Sequence, residues 1–132
     1  MSGAYETINP WSWQDQFGFS QAVATLAASR WLFLAGQGPA AADGTVVSPG
    51  DIGAQLTQAL DNLETVLAQA GSDLAHVVRL NYYTTDVDAL LGVWPLIVQR
   101  LADNRPASTL LGVSRLAFPE MLIEIEATAL VP

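Results

Sequence analysis

The stretch Met121-Leu122-Ile123-Glu124-Ile125-Glu126-Ala127-Thr128-Ala129 alternates apolar and polar side chains from Ile123 onward. Period two places Ile123, Ile125 and Ala127 on one face of a strand and Glu124 and Glu126 on the other. A strand with one apolar face needs a layer to cover it. The chain supplies one in Ile52, Leu56, Ala59/Leu60, Leu63, Val66/Leu67 and Ala70, which recur at helical spacing over about five turns. Ser48-Pro49 reads as a cap and first-turn proline, Asp51 places negative charge in the first turn, and Gly71 sits where a left-handed residue ends a helix. Working outward, Ala4–Ile8 reads as a short strand ended by Asn9-Pro10, and Trp11–Gly18 as an aromatic loop. Ala22–Ala27 and Trp31–Gly36 read as a hairpin turning at Ala28-Ser29-Arg30, the second run apolar enough for a central strand. Val77–Thr84 and Thr109–Val113 are β-rich, and Thr85-Asp86 can cap a second helical segment that Pro95 must kink or restart. The element order is that of an α+β domain whose helices cover one face of a mixed sheet.

The 132 residues suit one domain with a core large enough to need no staple, and there is no cysteine to make one. Thirteen acids face five arginines and no lysine, a net charge of −8 at pH 7. Arg30, Arg79, Arg100, Arg105 and Arg115 stand singly, so no basic stripe exists to neutralise nucleic-acid phosphates. No apolar run approaches the ~20 residues that span a bilayer. Met1–Trp13 lacks the basic start and apolar stretch of a signal peptide, which makes a cytoplasmic location the expectation. A content of 51% hydrophobic and 14% charged residues implies that some surface is buried against further copies of the chain.

Two neighbouring carboxylates on one strand face repel unless water or a partner separates them. Glu124 and Glu126 are therefore either solvated, or one of them faces a cleft where it can exchange protons with water. His76 has no histidine or cysteine companion and opens a strand near the surface, so no metal site is expected. No serine stands in a nucleophile elbow, and Ala35-Gly36-Gln37-Gly38 lacks the helix and lysine of a phosphate loop. Gly36 and Gly38 mark places where the backbone turns or a ligand comes close. No lysine exists to form a Schiff base with pyridoxal phosphate and no dinucleotide fingerprint is present, so no cofactor is implied.

The segments Phe19-Ser20-Gln21-Ala22, Ala35-Gly36-Gln37, Gly50-Asp51-Ile52 with Gln55, Leu60, Asn62 and Leu63, Ala70-Gly71, Thr84-Thr85-Asp86, Arg105-Pro106-Ala107 and Ile123–Ala127 together resemble the Rid family. These are the reactive intermediate deaminases, also called YjgF or L-PSP endoribonuclease-like proteins. The resemblance covers nearly the whole chain. It implies a chorismate-mutase-like α+β domain with a six-stranded mixed sheet, two helices on one face, and a homotrimer with clefts between subunits. Deaminating members hydrolyse 2-imino acids, and an arginine of a Pro-Ala-Arg-Ser motif clamps the substrate carboxylate.

Here that motif reads Pro106-Ala107-Ser108-Thr109, so Ser108 occupies the arginine position. Phe19 stands where the family has a tyrosine, and Trp94 where it has an asparagine. The late glutamate that positions water in the family corresponds to Glu124, and Gly36 is available as a backbone donor. Arg105 and Arg115 are the two arginines that could return a positive charge to the cleft. The resemblance thus implies Glu-assisted hydrolysis of an imine, enamine or related electrophile without the usual carboxylate. The other reading is a small-molecule-binding or interaction protein on the same fold.

Overall fold

In the computed structural model, residues 5–25 and 30–132 are described. Strand β1 (Tyr5–Ile8) pairs antiparallel with β2 (Ala22–Thr25), and the loop between them carries a 3₁₀ turn over Trp13–Phe17. Strand β3 (Arg30–Gln37) leads through a long loop to helix α1 (Ile52–Gln69). A short 3₁₀ turn at Leu74–His76 opens β4 (Val77–Thr84), followed by α2 (Val87–Gly92), α3 (Pro95–Leu101), β5 (Ala107–Gly112) and β6 (Ile123–Val131).

The main sheet has the order β3-β6-β4-β5, with β4 and β5 parallel and the other neighbours antiparallel. The expected six strands are present, but among the described residues they form a four-stranded sheet and a separate two-stranded ladder rather than one sheet. The described part of β2 bonds to β1, and β3 bonds to β6, so the expected β2–β3 hairpin pairing is not seen. Ala4, Leu26-Ala27 and the turn residues Ala28-Ser29 lie outside the described residues. Among the described strands β3 is an outer one, not a central one, because it bonds only to β6, and its alternate residues Trp31 and Phe33 face the side of the sheet that carries no helix. They are 50% and 80% exposed.

Helix α1 covers the other side. Leu56, Leu60, Leu63 and Leu67 are fully buried against Leu80, Tyr82, Ile123, Ile125 and Ala129, with Leu32 and Leu34 at the margin. The expected helical periodicity holds, but the cap differs. Asp51 is the N-cap, its carboxylate accepting from the Ala54 N–H at 3.0 Å, while Ser48 and Pro49 precede the helix in the loop. At the far end Gly71 has φ +84, and the Gly71 and Ser72 amides close onto the Ala68 and Leu67 carbonyls, which is the glycine-ended cap its position implied. One second helix was expected where two are found. Pro95 has no N–H to continue α2, and instead starts α3 at the first helical position, with Trp94 between them.

Polar side chains of α1 fix the loops that flank the sheet. Gln55 is fully buried, and its amide donates to the carbonyls of Val47, Ser48 and Glu120, while its oxygen accepts from the Leu122 N–H at 2.8 Å. Asn62 donates to the carbonyls of Gly38 and Ala40 at 3.0 and 2.9 Å and accepts from Gln58. Truncating Gln55 removes its bonds to four partly buried backbone groups at once and leaves a cavity where the buried amide stood. The Gln55→Ala variant should therefore lose about 2–4 kcal/mol of unfolding free energy, read as a lower denaturant midpoint at unchanged m. A loss below about 0.5 kcal/mol would show that water replaces the amide without penalty.

Candidate functional site

Glu124 and Glu126 both project from β6 onto the helix-free face, as the alternation required. Their surroundings divide them. Glu126 accepts a hydrogen bond from the Asn81 amide at 3.0 Å and a short one from the Tyr83 hydroxyl, both reaching over from β4. These donors, with Arg79 nearby, hold the Glu126 carboxyl below the usual carboxylate range, and the same bond raises the Tyr83 phenol. Glu124 lies opposite Tyr83 in the β4–β6 register and makes no hydrogen bond or ion pair among the described residues.

Its carboxylate lies against Gly36. Between Leu34 and Gln37, β3 carries one residue more than the facing stretch of β6, a bulge at Ala35-Gly36. A Cβ built on Gly36 would stand 2.6 Å from Glu124 Cδ and 2.9 Å from Cγ. The missing side chain is what lets the carboxylate and this irregular stretch of backbone meet. Gln55 and Asn62 set both sides of that contact, one holding the approach to β6 and the other the loop after β3.

Phe19, Trp94 and Ser108 come together elsewhere. With Phe17, Tyr82, Leu91, Thr109 and Leu110 they line a pocket of about 210 Å³ between the aromatic loop, the α2–α3 junction and β5. The Trp94 indole N–H donates to the Phe17 carbonyl at 2.8 Å, which fastens the loop to the helices, and its ring meets Tyr82 edge-on at 4.9 Å. Trp13 packs edge-on to Phe19 at 5.8 Å. Ser108 pairs with Leu80 in the β4–β5 register and so belongs to the helix-covered face. One chain thus carries the predicted residues as two groups on opposite faces of the sheet: Glu124 with Gly36, and Phe19 with Trp94 and Ser108.

Arg79 reaches the edge of the second group through Thr109, and the other arginines of the described residues are engaged elsewhere. Arg105 turns back onto the carbonyls of Ala102 and Asn104, and Arg115 onto those of Leu116 and Ala117. Arg79 donates to Thr109 Oγ1 at 3.1 Å, and Arg100 binds Asp61 and Glu64. His76 contacts Asp73 at 2.7 Å at the start of β4. Among the described residues no cluster of three or more metal-ligating side chains is gathered, and no helix is long and apolar enough to cross a membrane.

Sequence reasoning did not single out Tyr82, Phe17, Asn81 or Tyr83. Period two in Leu80–Thr84 would have put Tyr82 with the core and Tyr83 with the glutamates, but only the register shows which glutamate each residue meets.

The profile of the family described as Endoribonuclease L-PSP matches residues 14–131. The protein belongs to this family, the Rid/YjgF proteins. It is 33% identical to a RutC family protein of Pyrococcus horikoshii over 84% of this chain and 85% of that one. A protein of unknown function of the conserved Rid family from Yersinia pestis superposes with a TM-score of 0.89 at 39% identity, covering 96% and 98% of the two chains. A member of the YjgF/YER057c/UK114 family from Mycobacterium tuberculosis does so with 0.67 at 31% identity, covering 96% and 99%. The α+β fold of this Rid-family chain is therefore that of its relatives.

The Glu126 carboxyl titrates below its ordinary value in the folded protein, so its contribution is complete above the ordinary carboxylate pKa of about 4.3. That contribution drains away as pH falls through the lowered native value. Wild type should lose stability between about pH 5 and pH 2 more steeply than Glu126→Gln, which has no proton to take up there. Parallel slopes in denaturant midpoints across that window would show that the Tyr83 and Asn81 bonds do not favour the ionised form.

Proposed function

We propose that this Rid-family protein hydrolyses a neutral imine or enamine, or a related electrophilic small molecule, in clefts between subunits of a homotrimer. The observation that carries the reading is the Glu124 carboxylate seated over Gly36 with no internal partner, while its neighbour Glu126 is held by two donors. Glu124 takes a proton from water as the water oxygen bonds to the imine carbon. Glu124 returns that proton to the nitrogen, giving a neutral carbinolamine, whose hydroxyl proton then moves to the nitrogen as the C–N bond breaks, leaving a carbonyl and an amine. The Gly36 amide is the backbone donor, and Phe19, Trp94 and Ser108 form the wall that receives the rest of the molecule. Proton transfer of this kind contributes about 10²–10⁴-fold.

Ser108 in place of an arginine, with Arg105 and Arg115 bonded to their own loops, argues against an ordinary 2-imino acid. Net charge −8 and the absence of lysine argue against RNA, whatever the family description says. The test presents neutral aryl ketimines beside 2-imino acids made in situ by an amino-acid oxidase. Acceleration of the neutral set that disappears in Glu124→Gln, with folding and assembly intact, is the expected result. No acceleration with any imine would overturn the reading.

Assembly is supported by the helix-free face, where Trp31, Phe33 and Leu111 stay at least half exposed on a four-stranded sheet. The proposal requires the assembly to bring one chain's Glu124 near another chain's pocket, since within one chain the two lie on opposite faces of the sheet. Phe33→Glu should shift the mass measured by light scattering from three chains toward one; an unchanged mass would place the contact elsewhere. The division of the site between two faces also favours a second reading, a protein that only binds small molecules, since the aromatic pocket alone suffices for that.

A further inference from the structure

The floor of the aromatic pocket is formed by a residue with unused polar capacity. Tyr82 is 1% exposed, and its hydroxyl has no hydrogen-bond partner among the described residues. Three other polar side-chain atoms lack partners, Ser20 Oγ, Asn81 Oδ1 and Asn104 Oδ1, and all three are sealed from solvent. The Tyr82 hydroxyl is not sealed with them, and Tyr82 lines the pocket. A phenol taken out of water without a partner is destabilising, so the position favours whatever supplies one. Burial alone pushes the Tyr82 phenol pKa well above the ordinary phenol range, which keeps it a neutral donor and acceptor near pH 7.

The remaining polar groups of the pocket narrow the ligand further. The Trp94 indole N–H is already given to the Phe17 carbonyl, and Thr109 Oγ1 receives Arg79. Ser108 is half-buried at β5, leaving Tyr82 as the one deeply buried polar group among Phe17, Phe19, Trp94, Leu91 and Leu110. Arg79 is committed to Thr109, and Arg105 and Arg115 to loop carbonyls, so a neutral ligand suits this space better than an anion. The volume of 210 Å³ is of the right order for one six-membered ring, since an apolar cavity of about 150 Å³ accepts benzene.

We propose that this pocket is a subsite for a neutral aryl group whose leading edge carries a hydroxyl or carbonyl, and that Tyr82 is the residue that reads that group. The inference rests on the aromatic pocket being the place where the ligand's body lies, and it is independent of Glu124. Phenol and toluene, matched in shape and different at one polar atom, are the probes. Each is titrated into wild type and Tyr82→Phe while the Trp94 indole N–H resonance is followed, with Trp94→Phe used for its assignment.

The phenol-to-toluene affinity ratio should be about threefold to tenfold higher in wild type than in Tyr82→Phe, the net worth of one hydrogen bond. The ligand-free Tyr82→Phe protein should unfold at the same temperature as wild type or above it, because no internal bond is lost. An equal ratio in the two proteins, a shift with neither probe, or a lower unfolding temperature for the variant would each overturn the proposal. The Glu124→Gln protein should bind both probes as wild type does. Tyr82-dependent phenol binding without imine hydrolysis would uphold this subsite and defeat the catalytic reading. Hydrolysis with an unchanged ratio would do the reverse.

Discussion

The side-chain amide of Gln55 joins three segments that have no regular structure to bring them together: the end of the loop after β3, the start of helix α1, and the turn that feeds β6. The backbone groups it meets lie in partly buried loop segments where no ladder pairs them. Asn62, two turns along the same helix, does the same for Gly38 and Ala40. The helix that covers the sheet with its leucines therefore also sets the register of the two irregular stretches beside Glu124. Apolar burial gives the layer its stability, and these two amides decide where the loops stop.

That division explains why the two glutamates of β6, chemically alike and two residues apart, have different surroundings. Strand alternation puts both on one face, where like charges repel. The neighbouring strand answers with Asn81 and Tyr83, and both donors reach Glu126. Glu124, one step nearer the strand's beginning, faces a bulge and a glycine instead. A carboxylate fixed by two donors is a poor base, because the bonds that hold it stabilise the ionised form. The proposed role of Glu124 rests on the contrast, since no donor among the described residues holds its carboxylate.

Most of the fold was legible because it depends on periods that a single chain displays. Helix α1, the ending at Gly71, the strand Val77–Thr84 and the two-faced β6 all follow from spacing. What escaped was set by pairing and by context. The apolar run Trp31–Gly36 matches a central strand in composition, yet Trp31 and Phe33 face away from the helices, and a run apolar on both faces does not say what covers the second. The sequence singles out Glu124, Gly36, Phe19, Trp94 and Ser108 as candidates but not their arrangement, since which face each takes is a matter of register. Arg105 illustrates the limit: its charge was visible in the sequence, but the unpaired carbonyls at the end of α3 that claim it were not.

Under the proposed reading, a serine rather than an arginine at position 108 has a wider electrostatic consequence than one missing contact. A net charge of −8 already disfavours small anions on approach, and the four arginines outside β3 are each bonded to a carboxylate, a hydroxyl or a loop carbonyl. An anionic group reaching the aromatic pocket would give up its hydration and gain no cation in return, a penalty of several kcal/mol. A neutral ring has no such penalty and gains contact with Phe17, Phe19 and Trp94. Under the proposed reading, Phe19, Trp94 and Ser108 act together, and recognition rests on shape and a single buried hydroxyl rather than on charge.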